Sequence, residues 1–145
     1  MKTITVAAAV IRNAAHQLLL VRKQNTDFFM QVGGKLEPNE QPEQTMLREI
    51  EEEVGTTATI QQFIGRFETA AANESDHLLV SYLYLVDLAQ APEINAEIAE
   101  MKWIDLDHDP TWLAPLTTQV VIPWCRTHAE AAVRSEVNAS SVSCI

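Results

Sequence analysis

A run of glutamates at positions 48–55 is the chemically richest feature of this sequence. The segment REIEEEVG holds four glutamates and one arginine. At about 100° per residue around a helix axis, Glu49, Glu52 and Glu53 share one arc of about 100°, whereas Glu51 points away from it. The three carboxylates repel one another and lie near the helix C-terminus, where the helix dipole disfavours anions. This arrangement is unfavourable unless a cation binds to it.

A glutamate run is most often only a solvated helix face. Two observations oppose that interpretation here: Arg48 is the only cation on the predicted helix, and no lysine occurs between Lys35 and Lys102. A hard divalent cation removes the conflict, because Mg²⁺ binds carboxylate oxygens and keeps water or substrate phosphates as its other ligands. The pattern therefore predicts a Mg²⁺ site on this face.

The pair Gly33-Gly34 lies shortly before the predicted helix. Glycine lets the backbone approach a ligand closely or expose a carbonyl group to it. A glycine pair alone is more often only a turn, and its value here is its fixed distance from the glutamates.

The elements that position these residues follow from the hydrophobic pattern. A helix is predicted from Pro42, which suits a first helical turn, to Val54, before Gly55. A later helix is predicted from about Thr117, with Pro123 as a kink or boundary. Strands are predicted at 3–12, 17–23, 57–69, 77–88 and 101–106, and the short apolar run at 28–32 is followed by Gly33-Gly34, a turn signal. This order indicates a mixed α/β fold with a partly antiparallel sheet.

The length of 145 residues fits one domain, which we place at 1–137, with a frayed tail at 138–145. A net charge of −10 argues against binding of a nucleic acid polymer. Cys125 and Cys144 are the only cysteines, so a reducing cytoplasm is the expected location. We interpret the N-terminus as a strand rather than a signal peptide, and no apolar run reaches the length of a membrane span.

Gly34, Glu40 and the segment 48–55, taken with their spacing, resemble the Nudix box of the Nudix hydrolases. Five residues separate Gly34 from Glu40, and seven separate Glu40 from Arg48. The box covers positions 34–56, about a sixth of the chain. Three neighbouring positions depart from the family pattern: Val32 where proline is frequent, Asn39 where glycine is frequent, and Thr56 where an aliphatic residue is usual. Asparagine tolerates a left-handed backbone, so the turn at Asn39 is expected to survive.

The resemblance implies a Nudix fold, an α/β/α sandwich, and hydrolysis of a nucleoside diphosphate linked to another group. It implies Mg²⁺ or Mn²⁺ as cofactor, a small nucleotide as partner, and a frequent tendency to form homodimers. The metal ligands that it implies are the carbonyl of Gly33 with Glu49, Glu52, Glu53 and a loop glutamate.

For the loop glutamate we choose Glu97 over Glu93 and Glu100, because it lies six residues before Trp103. The resemblance also gives Arg48 the role of holding a glutamate, Glu49 or Glu40, in place. The general base is left open between Glu49 and Glu97. The predicted catalytic residues are thus Arg48, Glu49, Glu52 and Glu97.

The substrate is less well specified than the chemistry. Signatures of several family subgroups are absent, including the proline of the ADP-ribose group, where this chain has Ala72. A nucleoside triphosphate, oxidised ones included, is therefore the preferred substrate, with ADP-ribose or another nucleotide sugar as the alternative. Phe28, Tyr82 and Lys35 are the predicted substrate contacts.

Two further alternatives were weighed. A Nudix-like isomerase acting on an isoprenoid diphosphate commonly needs a cysteine in its site, and both cysteines lie far along the chain from the box. A non-catalytic nucleotide sensor typically loses box glutamates, and this sequence keeps all of them. The intact box favours an enzyme over a binding module.

Overall fold

The computed structural model describes residues 2–72, 74–107 and 111–128. The predicted domain end at 137 and the predicted tail at 138–145 lie outside these residues, as does Cys144. The elements of the described chain are β1 (Lys2–Val10), β2 (Leu18–Lys23), β3 (Val32–Lys35), α1 (Pro42–Val54), β4 (Ala58–Ala70), β5 (His77–Leu88), β6 (Ile98–Ile104), a π-helical turn (Thr117–Val121) and α2 (Ile122–Thr127).

The strands form two sheets. In the larger sheet the order is β3-β1-β5-β4, with β1 parallel to β5 and the other pairs antiparallel. Strands β2 and β6 form a separate antiparallel pair. The predicted mixed α/β class with a partly antiparallel sheet is confirmed.

The two faces of the larger sheet are covered by different helices. Ala7 and Ala9 of β1 point to one face, whereas Ala8 and Val10 point to the other, as the period of two in a strand requires. The first face packs against the α1 residues Met46, Ile50 and Val54. The second face packs against the C-terminal helical residues Val121, Ile122 and Cys125. The predicted α/β/α sandwich is therefore observed.

Helix α1 begins at Pro42 and ends at Val54, as predicted. The backbone N–H of Gln41 donates to the side-chain oxygen of Gln44, at 2.9 Å, and so closes the N-terminus. Gly55 adopts the left-handed conformation (φ 72°), and its N–H donates to the carbonyl of Glu51 at 3.1 Å. Both ends of the glutamate helix are thus fixed by local hydrogen bonds.

The expectation that Gly33-Gly34 forms a turn after the apolar run 28–32 is wrong. Phe29 and Met30 form only isolated bridges, and β3 begins at Val32 and includes both glycines. The reason is close packing: a Cβ on Gly33 would overlap the carbonyl oxygen of Ala7 and lie 2.8 Å from Ala8 Cα. The glycines therefore let β3 pair tightly with β1 rather than turn away from it.

Two smaller differences concern the C-terminal half. The last strand begins at Ile98 and ends at Ile104, earlier than the predicted 101–106. The late helix starts at Thr117 as a π-helical turn, and α2 begins at Ile122 with Pro123 in its first turn. Pro123 thus marks a boundary between two helical forms. Among the described residues, no helix is long and apolar enough to cross a membrane.

Candidate active site

Glu40 and Arg48 form a two-point ion pair at the start of the site. The Arg48 Nε donates to Glu40 Oε2 at 2.8 Å, and a second guanidinium nitrogen donates to Oε1 at 3.0 Å. Glu40 also accepts hydrogen bonds from the hydroxyl of Thr45 (2.6 Å) and the backbone N–H of Glu37 (3.0 Å). These bonds, that from Arg48 above all, lower the pKa of Glu40 to about 2. Glu40 is therefore fully engaged in holding Arg48.

The same guanidinium reaches two of the predicted metal ligands. Its NH1 lies 3.2 Å from Glu49 Oε2 and 3.3 Å from Glu52 Oε2. Arg48 thus partly neutralises a face that would otherwise carry only negative charge. Its hydrogen bond to Glu40 raises the pKa of Arg48, so it remains protonated.

Glu49 packs directly on the second glycine of the pair. A Cβ on Gly34 would overlap the Glu49 carboxylate, so only glycine leaves this carboxylate in place. Arg48 holds the carboxylate on its other side. Glu49 is half-buried, Glu52 is exposed, and Glu51 points to solvent, in agreement with the predicted helix faces.

Glu53 is the most deeply buried carboxylate of the site, with 4% of its surface exposed. Its Oε1 accepts a hydrogen bond from the backbone N–H of Gly33 at 3.3 Å, and its Oε2 lies 3.3 Å from Lys23 Nζ. Burial raises the pKa of Glu53 to about 7, although the ammonium of Lys23 acts in the opposite direction. A second anion, Glu49, adds to the upward shift. This carboxylate is therefore an unfavourable buried charge that a strong cation would stabilise.

Lys23 indicates where such a cation would lie. Its ammonium is 3.3 Å from Glu53 Oε2 and 3.4 Å from the carbonyl oxygen of Gly33. These are two of the oxygens predicted to bind metal, and hard carboxylate and carbonyl oxygens suit Mg²⁺. Within 2–72, 74–107 and 111–128, no group of three or more acidic, histidine or cysteine side chains is already arranged as a metal site. The residues fit a divalent cation once Lys23 releases the two oxygens that it contacts.

Glu97 lies at the edge of this region, on the loop before β6. The loop is tied to the end of α1, because the N–H groups of Glu93 and Asn95 donate to the carbonyls of Val54 (3.0 Å) and Glu53 (3.1 Å). The carbonyl of Glu97 accepts from the N–H of Gln24, next to Lys23, at 2.8 Å. The Glu97 side chain is exposed. The backbone of Glu97 is thus fixed beside Lys23, while its carboxylate is exposed to solvent.

A cavity of about 210 Å³ lies on the other face of the sheet and reaches the same glycine pair. Lys23, Gly33 and Gly34 belong to its lining, so it adjoins residues that contact Glu53 and Glu49. Its apolar wall includes Ile4, Val6, Ala8, Leu79 and Leu116.

The three predicted substrate contacts do not all lie at this cavity. Lys35 lines it and pairs with Glu74 at 3.6 Å. Phe28 and Tyr82 are not among the lining residues, and Tyr82 packs on the α1 face of the sheet instead. Of the three predicted substrate contacts, the structure brings only Lys35 to the cavity.

The fold and this cluster can now be compared with known proteins. The NUDIX domain family matches residues 1–125. Over 108 residues the chain is 32% identical to the 8-oxo-dGTP diphosphatase of Haemophilus influenzae, covering 72% of this chain and 77% of that protein. The chain belongs to the Nudix family.

Further relatives agree with this membership. The chain is 33% identical over 81 residues to the CTP pyrophosphohydrolase of Escherichia coli, covering 54% of this chain and 60% of that protein. The crystal structure of a MutT Nudix hydrolase from Burkholderia pseudomallei superposes with a TM-score of 0.69 at 21% identity, covering 85% of this chain and 98% of that one. This last likeness shows the fold alone. The predictions of a Nudix family member and of a Nudix pyrophosphohydrolase enzyme are confirmed.

Within the Nudix box, Asn39 adopts the left-handed conformation (φ 67°), so the expected turn is preserved. Cys125 belongs to α2 and is fully buried in the core, and burial raises the pKa of its thiol to about 11. It is not among the residues that line the cavity. The isomerase alternative, which needs a reactive cysteine in the site, is not supported by this placement.

The Nudix box did not reveal two residues of the site, Lys23 and Gln31. Lys23 ends a buried strand ten positions before the glycines, and the sequence gives no periodic signal for it. Gln31 is the one polar residue of the apolar run FFMQV, and it is 4% exposed. A buried polar residue inside an apolar segment is a signal that sequence inspection could have used.

Proposed function

We propose that this Nudix protein hydrolyses nucleoside triphosphates, oxidised ones included, to the monophosphate and pyrophosphate, with Mg²⁺ or Mn²⁺ as cofactor. One observation carries the proposal: the carboxylates of α1 and the apolar cavity meet at Gly33-Gly34. A nucleotide has this same division, with an anionic phosphate chain and a largely apolar base. The relatives named for 8-oxo-dGTP and CTP support a nucleotide of this kind.

The residues around the glycine pair have two proposed roles, metal binding and positioning of the metal ligands. Gly33, Glu49, Glu52, Glu53 and the nearby Glu97 would hold the cation, which would neutralise phosphate charge and lower the pKa of a water molecule. Arg48 is fixed by Glu40, and its guanidinium holds the carboxylates of Glu49 and Glu52 in place by ion pairs. Pre-positioning of this kind lowers the barrier because the charges need not reorganise during the reaction.

Lysines flank the glycine pair on the cavity side. Lys23 and Lys35 both line the cavity, and their ammonium groups can pair with phosphate oxygens as mobile point charges. When Lys23 leaves Glu53, it becomes available to the phosphate chain beside it. The substrate would thereby lie across Gly33-Gly34, with its phosphates towards α1 and its base in the cavity.

The general base is proposed to be Glu49 or Glu97, each for a different reason. Glu49 has a fixed carboxylate, held between Gly34 and Arg48. Glu97 has an exposed carboxylate on a loop tied to α1. A Glu97→Gln variant separates them: an unchanged pH–rate profile removes Glu97 as the base, and loss of the acidic limb, at low pH, assigns it.

The function is tested by a product screen with Mg²⁺ or Mn²⁺ over nucleoside triphosphates, ADP-ribose, dinucleoside polyphosphates and NADH. The proposal expects fastest turnover of a nucleoside triphosphate, with pyrophosphate rather than orthophosphate as product. Faster cleavage of ADP-ribose would replace the triphosphate assignment. Binding without turnover of any compound would indicate a sensor, against the complete set of box glutamates.

The proposed location of the protein is the cytoplasm, and its proposed assembly is a homodimer. The low cysteine count supports a cytoplasmic protein, and the family resemblance supports a homodimer. Sedimentation equilibrium at micromolar concentration distinguishes a dimer from a monomer.

A further inference from the structure

Gln31 lines the cavity and carries an unpaired hydrogen-bond donor in its side chain. The residue is 4% exposed and lines the cavity two positions before Gly33. The hydroxyl of Thr117 donates to its Oε1 at 2.7 Å, which fixes the side-chain amide. Its Nε2 is buried and has no partner within the described residues. Both N–H bonds of Gln31 are therefore removed from water without compensation.

Two other unpaired polar groups lie on the same face of the sheet. The hydroxyls of Ser81 and Thr69 are buried without a partner. The register pairs Ser81 with Val6 and Thr69 with Leu79, and both of these partners line the cavity. In the part of the chain that the structure describes, the only other such atom is Nε of Arg12. Unpaired polar atoms are thus concentrated beneath one otherwise apolar cavity.

We propose that Nε2 of Gln31 donates a hydrogen bond to an exocyclic oxygen of the substrate's base and so selects bases that carry an oxo group. The inference rests on the proposed function, because it requires the base to lie in this cavity. An oxygen acceptor satisfies the buried donor. A base with hydrogen or an amino group at that position leaves Nε2 unpaired, and an unsatisfied buried donor is strongly disfavoured.

The position of Gln31 supports this role. Gln31 and Gly33 flank Val32 of β3, and Gly33 is bonded to both Glu53 and Lys23. The donor and the carboxylate cluster are therefore connected through one short, buried segment of backbone. A base that is fixed by Gln31 would have its phosphates directed along β3 towards α1.

The test compares two substrates that differ where the donor acts. Guanine carries an oxygen at position 6, and 2-aminopurine carries hydrogen there. With their deoxynucleoside triphosphates and Mg²⁺, we expect the wild type to favour dGTP in kcat/KM by about tenfold, the value of one net hydrogen bond. A Gln31→Met variant, of similar shape, is expected to bring this ratio below about twofold. Gln62→Met, on the exposed surface of β4, is the matched control and keeps the wild-type ratio.

Binding of the monophosphates provides a second measurement that does not depend on turnover. Calorimetry without metal compares dGMP with 2-aminopurine deoxyriboside monophosphate on wild type and Gln31→Met. A preference for dGMP that requires Gln31, in a protein that hydrolyses no nucleotide, would support the base contact and reject the proposed function. Hydrolysis with the same dGTP preference in both proteins would retain the function and reject the base contact.

A second variant guards against a folding defect in Gln31→Met. Thr117→Val keeps Gln31 but removes the bond that orients its amide. We expect its dGTP preference to fall by about threefold while the thermal transition remains cooperative. If Gln31 only supports Thr117 structurally, both variants lower the melting temperature and leave the substrate ratio unchanged, which overturns the proposal.

Discussion

The two ends of the site are built in different ways. The charged end takes three of its four carboxylates from one helix and its glycines from one strand, so nearly all of it lies between positions 33 and 53. The cavity draws on β1, the segment before β3, the end of β4, β5 and residues 114–116. Short-range spacing therefore specifies the charged end, whereas only the tertiary fold brings the cavity together.

Their electrostatics differ as well. The charged end holds four carboxylates against one arginine and one lysine, and its deepest carboxylate has a pKa raised to about 7. The cavity has an apolar wall with a buried amide beneath it. We infer that the charged end governs the rate and the cavity governs the choice of base, so variants at each end should affect different measurements.

The largest expected effect is that of Glu53→Gln. Loss of this buried carboxylate should lower kcat by on the order of 10³-fold, because the proposed cation site would lose its most desolvated ligand. Binding of dGMP in the cavity should remain within twofold of wild type. Glu51→Gln, on the solvent side of the same helix, is the matched control and should retain full activity. Near-normal turnover of Glu53→Gln would reject the metal assignment.

The pH dependence of stability isolates the charged end without any substrate. Burial raises the pKa of Glu53 from 4.5 to about 7. The protonated carboxyl therefore contributes to the free energy of unfolding in full below pH 4.5, and this contribution is lost as the pH rises through 7. For the metal-free protein this loss amounts to at most about 3 kcal/mol of unfolding free energy.

Urea unfolding between about pH 4 and pH 8 measures this loss. The difference between wild type and Glu53→Gln should change across this interval, and added Mg²⁺ should reduce the change. Parallel stability curves for the two proteins would show that Glu53 does not titrate as described.

Arg48→Lys tests the positioning of the carboxylates. Lysine keeps the charge but cannot form the two-point bond to Glu40, so kcat/KM should fall by roughly 30-fold. Glu40→Gln should have a similar effect, and the double variant should be no worse than either single one. Arg66→Lys, which changes an exposed pair with Glu68, is the control. Additive losses in the double variant would mean that the two residues act separately.

The smallest of these effects is expected for Lys23→Met. The ammonium of Lys23 contacts Glu53 Oε2 and the carbonyl oxygen of Gly33, two oxygens proposed to bind the cation. Removal of this ammonium should tighten Mg²⁺ binding by about tenfold. Calorimetry at pH 8.5, where Glu53 is ionised, measures the affinity, and the exposed Lys2→Met is the control. Unchanged or weaker Mg²⁺ binding would contradict competition between Lys23 and the metal.

The sequence was sufficient for the parts that depend on local chemistry. Pro42, Gly55 and the apolar spacing between them predicted α1 to the residue, because capping and helix period are local properties. The same spacing predicted the common face of Glu49 and Glu53. In contrast, Gly33-Gly34 was interpreted as a turn signal. Its place inside β3 was missed because the close approach of β3 to β1 is a tertiary property.

The residues of the proposed base contact were missed for the same reason. Tyr82 was a reasonable aromatic candidate, but its parity along β5 places it on the α1 face, opposite the cavity. Gln31 was overlooked because its role depends on Thr117, which is 86 residues away in the sequence. Burial and pairing of single polar groups become visible only when the fold is known.

The central claim, that the cation binds between α1 and β3, is tested most directly by amide-resolved NMR during a titration with Mn²⁺. Paramagnetic broadening identifies the amides nearest the ion. The account predicts that the signals of Gly33, Gly34 and Glu53 broaden first, and that Glu53→Gln delays this broadening to higher Mn²⁺ concentration. Broadening that begins instead at another acidic region, such as Asp105 and Asp107, would contradict it.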